Sequence, residues 1–293
     1  MTFHLYGNIL TFYGVAANNR GENQGNITTL QKLIWKGETH TVVSSEAIRW
    51  AIRYYWQQAG ISVNRRWNDD PQPNEENPRW QNPNFDRENY IDDDLLGFFD
   101  AEGDVRARRG RLDVTRAIST IPYNGKVTFS AKSGNIRTNT SLYGTEFHGT
   151  RYQFGFGITP ESCQDKSRVL DLLDALVSIC RVGGNHGRFL FDFAPESIIL
   201  RWTKDFAPRF LYCFEEDEMG DISMPKLLRQ IRSGDLDPTE FWIGGEITEF
   251  LQGTEYEGIN RFSGVKETVD ALKEKITEDL LFCPINSNNT EEN

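Results

Sequence analysis

Between residues 61 and 112 the chain obeys no secondary-structure period, and this interruption limits its possible folds more than any other feature. Pro71, Pro73, Pro78 and Pro83, with many Asn and Asp, break every helix or strand pattern laid over the stretch. Yet Trp67, Trp80, Phe85 and Tyr90 are scattered through it, and disordered linkers carry few aromatics. An irregular folded lobe, inserted into a domain that continues on either side, is therefore expected. The 293 residues suffice for one large hydrophobic core carrying such a lobe.

The flanking segments are regular. Residues 3–15 place Leu5, Ile9, Leu10, Phe12, Tyr13 and Val15 on both parities, the pattern of a central strand buried on both faces. Ala47, Ile48, Ala51, Ile52 and Tyr55 then recur at helical spacing behind Ser44 and Ser45, either of which can cap the helix. Periodicity returns at residues 117–131. Tyr152, Phe154, Phe156 and Ile158 alternate with Arg151, Gln153, Gly155 and Gly157, so one face is core and the other polar or bare. Over the bare glycines either a helix packs or another backbone or a ligand comes close. Leu170, Leu173, Leu176, Val177 and Cys180 mark a second helix, capped by Ser167 and ended by Gly183-Gly184, after which Phe189, Phe191 and Phe193 alternate as a strand. The order β, α, insert, β, β, α, β is that of the ferredoxin-like split βαβ arrangement, an α+β fold. Beyond Met224 come a short helix, a strand near residues 241–250 and a helix near 265–281, and the polar tail 286–293 is expected to be disordered.

A net charge of −11 argues at first sight against a nucleic-acid partner, since affinity for phosphate comes from Lys and Arg. The charge is unevenly spread. Residues 105–137 hold eight basic side chains against the single acid Asp113, which fits a basic surface on an acidic body and equally a solvated Arg-rich loop. The four cysteines lie far apart without a C-x-x-C pair, against a zinc ribbon or a disulfide framework. The longest apolar stretch is too short for a bilayer and the N-terminus lacks a targeting pattern, so a cytoplasmic protein with no membrane partner is expected. P-loop, dinucleotide and G-x-S-x-G motifs are missing. His40, His148 and His186 lack metal-ligand spacing. Asp92-Asp93-Asp94 and Glu215-Glu216-Asp217-Glu218 lack the glycine and spaced ligands of a calcium loop, and both runs are expected to face solvent. No catalytic residue, metal or cofactor is expected.

Two loops could meet phosphate. Residues 18–26, rich in Gly and Asn, lead toward the first helix; Arg20, Asn23, Gln24 and Asn26, with Ser45, Arg49 and Arg53 along that helix, are suitable partners. A flexible loop and a solvated helix face explain the same composition. In Gly183-Gly184-Asn185-His186-Gly187-Arg188 a helix C-cap accounts for the first two glycines but does not require His186 or Arg188.

These segments together resemble the DevR branch of the CRISPR-associated Cas seven backbone proteins, associated with type I-B systems. The resemblance is carried by Arg20-Gly21-Glu22-Asn23-Gln24-Gly25-Asn26, Gly37-Glu38-Thr39-His40-Thr41, Ser45-Glu46-Ala47-Ile48-Arg49-Trp50-Ala51-Ile52-Arg53, Asn64-Arg65-Arg66-Trp67-Asn68, Tyr90-Ile91-Asp92-Asp93-Asp94-Leu95, Ser141-Leu142-Tyr143-Gly144-Thr145-Glu146 and Val182-Gly183-Gly184-Asn185-His186, and spans most of the chain to about residue 205. It implies an RRM-type palm (residues 1–60 and 150–285), a fingers insert (61–117) and a thumb hairpin (118–149). It also implies a non-catalytic subunit of a Cascade effector in antiviral defence. Copies would run head to tail as a helical filament along the CRISPR RNA (crRNA) and hold it for pairing with a target DNA strand, beside a repeat-handle-binding subunit and a large subunit. The RNA contacts it implies are Arg20, Asn23, Gln24, Asn26, Ser45, Arg49 and Arg53; Arg116, Lys132 and Arg137 near the thumb; and Gly183, Gly184, Asn185, His186 and Arg188 in the second turn. The alternatives are a metal-dependent RNA-cleaving backbone protein of the type III kind, for which Glu22 and Glu146 are the available acids, and a regulatory protein that binds no RNA.

Overall fold

The computed structural model describes residues 2–17, 23–25, 27–100, 106–131, 142–183, 190–251, 253 and 256–280. Within these, nine strands make one sheet: β1 (His4–Thr11), β2 (Lys32–Trp35), β3 (Glu38–Val43), β4 (Asp113–Val114), β5 (Ala117–Ser119), β6 (Tyr152–Ile158), β7 (Pro195–Thr203), β8 (Phe241–Gly245) and β9 (Asn260–Phe262). The order is β9-β8-β7-β1-β6-β5-β3-β2, with β4 also on β6. Only β8 and β9 run parallel; the other pairs are antiparallel. β1 lies between β6 and β7, with Ile9 opposite Phe154 on one side and Ile198 on the other. That central place is why β1 carries apolar residues on both parities.

Among the described residues five α-helices accompany the sheet: α1 (Ser45–Gln58), α2 (Ile91–Leu95), α3 (Arg168–Ser178), α4 (Pro225–Arg232) and α5 (Val265–Leu280). Ile48, Ile52 and Trp56 of α1, Leu172 and Leu176 of α3, and Leu272 and Ile276 of α5 share one core with Leu5, Ile9, Phe154, Phe156 and Leu200. Ser44, not Ser45, caps α1, its Oγ accepting from the Ala47 N–H at 3.2 Å. None of the described helices is long and apolar enough to cross a membrane.

The opposite sheet face is also covered, by irregular chain together with Leu227 of α4. Residues 204–214 run across it as an irregular strap, burying Phe210, Cys213 and Phe214 with Leu10, Ile199 and Ile243 in a second core. The glycines expected to leave that face bare are filled from here and from β1: a Cβ on Gly155 would come within 2.6 Å of Leu211, and one on Gly157 within 2.9 Å of Tyr6. Polar sheet residues pin the strap, Gln153 donating to the Phe214 carbonyl at 2.8 Å and Asn8 accepting from the Tyr212 N–H at 3.2 Å. Two further expectations need correction. The helix expected to reach Cys180 and end at Gly183 stops at Ser178, leaving Cys180 exposed. The strand expected at Phe191 and Phe193 begins only at Pro195; both rings are buried, but the ladder on β1 starts beyond them, in a stretch buried at every position and therefore without alternation.

The inserted lobe packs back on the core through Ile91, Leu95, Leu96 and Leu112. Asp92, Asp93 and Asp94, expected in solvent, are each 1 % exposed. Asp92 accepts from Arg53 Nε and the Arg65 N–H, both at 3.0 Å, and from the Asn64 N–H at 2.7 Å. Asp94 takes Arg87 at 2.6 Å and Arg168 at 2.9 Å. Paired cations are what make such burial tolerable.

Candidate nucleic-acid interface

One strand outside the central sheet, Leu142–Thr150, gathers the segments singled out in the sequence. It pairs antiparallel with Lys126–Ala131 to make a hairpin, antiparallel with Gly14–Ala17, and parallel with Ile27–Thr28. Asn23 and Gln24 pair in turn with Thr28 and Ile27. The outgoing and returning stems of the first loop thus share a sheet with the hairpin. The exit of the second glycine turn comes to the same place: a Cβ on Gly14 would meet the Phe191 ring at 3.2 Å, and that ring lies edge-on to Tyr152 with centroids 5.4 Å apart. Three loops far apart in sequence therefore spring from adjoining stems.

Of the expected RNA contacts, Arg20, Asn26, Lys132, Arg137, Gly184, Asn185, His186 and Arg188 lie outside the described residues. Gly183 sits at φ 72°, and Ser45 is the first residue of α1. Arg116 is exposed beside the strap, its carbonyl accepting from the Tyr212 hydroxyl at 2.7 Å. Arg49 and Arg53 have partners within the protein. Arg49 Nη2 donates to the Leu112 carbonyl at 3.0 Å, and Arg53 is spent on Asp92. The face of α1 expected to meet phosphate is the face on which the inserted lobe lies.

The stem of the interface is held by internal charge. Glu146 accepts from Lys32 Nζ at 2.5 Å and from the Leu30 N–H at 2.7 Å, tying the hairpin to the returning arm of the first loop. Lys32 also lies 4.3 Å above the Tyr123 ring. Burial, and then the neighbouring Glu146, push the Tyr123 phenol up to about 12. Below, the Tyr152 hydroxyl donates to Thr41 at 3.0 Å, and Thr41 meets His148 Nδ1 at 2.8 Å. Burial pushes the His148 imidazole down to about 4, so it is neutral at neutral pH. Glu146 is thus occupied in holding the stem. Among the described residues, no three His, Cys, Asp or Glu side chains gather as a metal site.

Sequence reasoning put Arg151, the one residue between the hairpin strand and β6, on the polar parity but gave it no role. It grips Glu196 with two bonds of 2.6 and 3.0 Å, reaches Glu216 at 3.1 Å and sits over the Tyr13 ring at 5.5 Å. It ties the junction of the hairpin strand and β6 to Glu196 of β7 and to Glu216. A single Arg at a strand junction has no periodic signature that could have revealed it.

No family model matches the chain. It is 41% identical over 280 residues, 88% of its own length and 91% of the relative's, to a protein of Myxococcus xanthus (strain DK1622) described as "CRISPR-associated protein Cas7/Cst2/DevR". Its fold resembles a chain of a CRISPR RNA-guided surveillance complex with TM-score 0.59 at 16% identity, over 94% of this chain and 99% of that one. A chain of such a complex described as pre-nicking matches with TM-score 0.63 at 12% identity, over 93% and 100%.

Proposed function

The chain belongs to the CRISPR-associated Cas7/Cst2/DevR family, and from that premise we propose that it is a non-catalytic, RNA-binding backbone subunit of a type I CRISPR Cascade effector complex in the cytoplasm. Copies assemble head to tail along the crRNA and hold it open for base pairing with a target DNA strand, beside the repeat-handle-binding and large subunits. Residues 1–60 and 150–285 act as a ferredoxin-like, RRM-type palm, residues 61–117 as fingers and residues 118–149 as thumb. The order β7-β1-β6-β5, antiparallel throughout, with α1 and α3 on one face, supports the palm reading.

The observation that carries the reading is the likeness to the Myxococcus relative across most of both chains. The geometry bears on the path we assign to the RNA. Ordinary RRM modules stack bases on the open face of the sheet, but here the strap occupies that face. On this reading the RNA follows the segments that the adjoining stems carry: Arg20, Asn23, Gln24 and Asn26; Lys132 and Arg137, in the stretch joining the two hairpin strands; and Gly183, Gly184, Asn185, His186 and Arg188, with Ser45 and Arg116 as further contacts. These groups hold phosphate and geometry, and pairing reads the sequence. Arg49 and Arg53 also hold the fingers.

Expression with the neighbouring genes and a repeat-spacer array tests this. The expected result is a large particle containing uniform spacer-bearing RNA, lost when Lys132 and Arg137 are reversed to Glu. A monomer free of nucleic acid would point to the regulatory alternative. Magnesium-dependent cleavage of RNA by the particle, abolished by Glu22→Ala, would overturn the non-catalytic half of the reading.

A further inference from the structure

The stretch Asn64-Arg65-Arg66-Trp67-Asn68 has structural work for every member except one. Asn64 is fully buried, and its amide donates to Asp93 at 2.8 Å and to the Asn82 carbonyl at 2.9 Å. The Arg65 guanidinium lies 5.2 Å from the Trp80 ring centre. Trp67 is edge-on to Trp50 at 5.6 Å, and its N–H donates to Gln57 at 2.8 Å. Asn68 bonds Glu75 and Asn77. Arg66 is exposed and, among the described residues, makes no ion pair or side-chain hydrogen bond.

What faces Arg66 makes this harder to dismiss. In the short ladder Arg65–Arg66 with Arg79–Trp80, Arg66 stands directly opposite Arg79, also exposed and also without a carboxylate among the described residues. Directly opposed residues share a face with their Cβ atoms about 5 Å apart, and like charges so placed destabilise the pair. The fold itself gains nothing from this repulsion; an anion held between the guanidinium groups would relieve it. Beside the pair opens a cavity of about 210 Å³, lined by Arg66, Ser62, Gln81, Tyr90 and Gln57. Hydroxyl, amide and phenol groups can satisfy the edge and face of a planar base. The carbonyl end of α1, reached through Gln57 and Gly60, forms part of the wall and disfavours a negative charge inside.

We propose that Arg66 and Arg79 grip a backbone phosphodiester of single-stranded nucleic acid and that the adjoining cavity takes the base attached to it. The inference rests on the reading that this chain holds nucleic acid, and it adds a contact on the fingers, apart from the three converging loops. Guide RNA and target DNA both present this chemistry.

The test titrates the full chain, and the complex assembled with its partners, with oligouridylate and oligothymidylate over a salt series. Loss of that one phosphate contact should make the log-log salt dependence shallower by about 0.7 in Arg66→Ala/Arg79→Ala, at roughly 0.7 per phosphate for single strands. The melting midpoint of the free variant should be unchanged or raised, because the repulsion is gone. In the assembled complex, a smaller yield of copurified guide RNA assigns the site to the guide; weaker capture of added DNA alone assigns it to the target strand. Wild-type chain that binds neither strand overturns both readings. An unchanged salt slope on a wild-type background that binds, or a lowered melting midpoint, overturns this inference and leaves the proposed function standing.

Discussion

Asp92-Asp93-Asp94 and Glu215-Glu216-Asp217-Glu218 look alike as sequence and end in opposite surroundings. All three members of the first run are buried, at the point where the inserted lobe meets α1 and α3. In the second, a short hairpin on the strap side, Glu215, Asp217 and Glu218 are exposed, and only Glu216 turns inward, to Arg151 and Thr120. The difference lies in what comes to meet the carboxylates. Arg53, Arg87 and Arg168 arrive from three separate parts of the chain at the first run, whereas among the described residues Glu215 pairs only with the exposed Lys36, at 3.3 Å. Clustered acids are therefore no guide to exposure until their cations are located.

The contrast can be broken most severely at Asp94. Asp94→Ala leaves Arg87 and Arg168 without their carboxylate in the core, and an uncompensated buried charge costs about 3–5 kcal/mol. Urea denaturation should report a loss in that range; a loss below about 1 kcal/mol would mean that the run does not anchor the lobe.

Asp93 sharpens the contrast in the other direction, because its two hydrogen-bond donors, the Asn64 amide and the Asp86 N–H, carry no charge. Burial, and then Asp92, push its carboxyl up to about 6. With the folded value above the unfolded one, the group ionises first in the unfolded chain. Its penalty is absent below about pH 4, grows as pH rises toward 6 and is complete above that. Asp93→Asn should thus raise stability at neutral pH, by no more than about 3 kcal/mol, and flatten the slope across that window. Equal slopes for the two proteins would remove the buried charge from the account. The smallest effect belongs to Glu215→Ala, which loses one exposed pair and should change stability by less than about 0.5 kcal/mol, and by less again at high salt.

The same distinction separates what could be read along the chain from what could not. The apolar stripe of α1 and the alternation through Tyr152, Phe154, Phe156 and Ile158 are local periodicities, and the core uses these residues as the pattern demands. The strap has no period, and the Gly155 side of β6 says only that something small-tolerant lies there; that Leu211 fills it could not be foreseen. At the candidate interface, the breaks in pattern at residues 18–26 and 183–188 were legible from Gly and Asn content. The pairing of the first loop's stems with Leu142–Thr150 was not, since strand pairing between residue 27 and residue 144 leaves no trace in either segment.

Arg49 and Arg53 show where the boundary falls. Their spacing alone says that they share one face of a helix. Whether that face meets phosphate or protein depends on a lobe that begins after the helix ends, folds back and brings Asp92 from 39 residues away. Side-chain periods arise from backbone geometry within a few residues, so sequence suffices for elements and their apolar faces. The fate of a charge depends on desolvation and on partners far along the chain, Arg168 lying 74 residues from Asp94, and only the folded arrangement decides it.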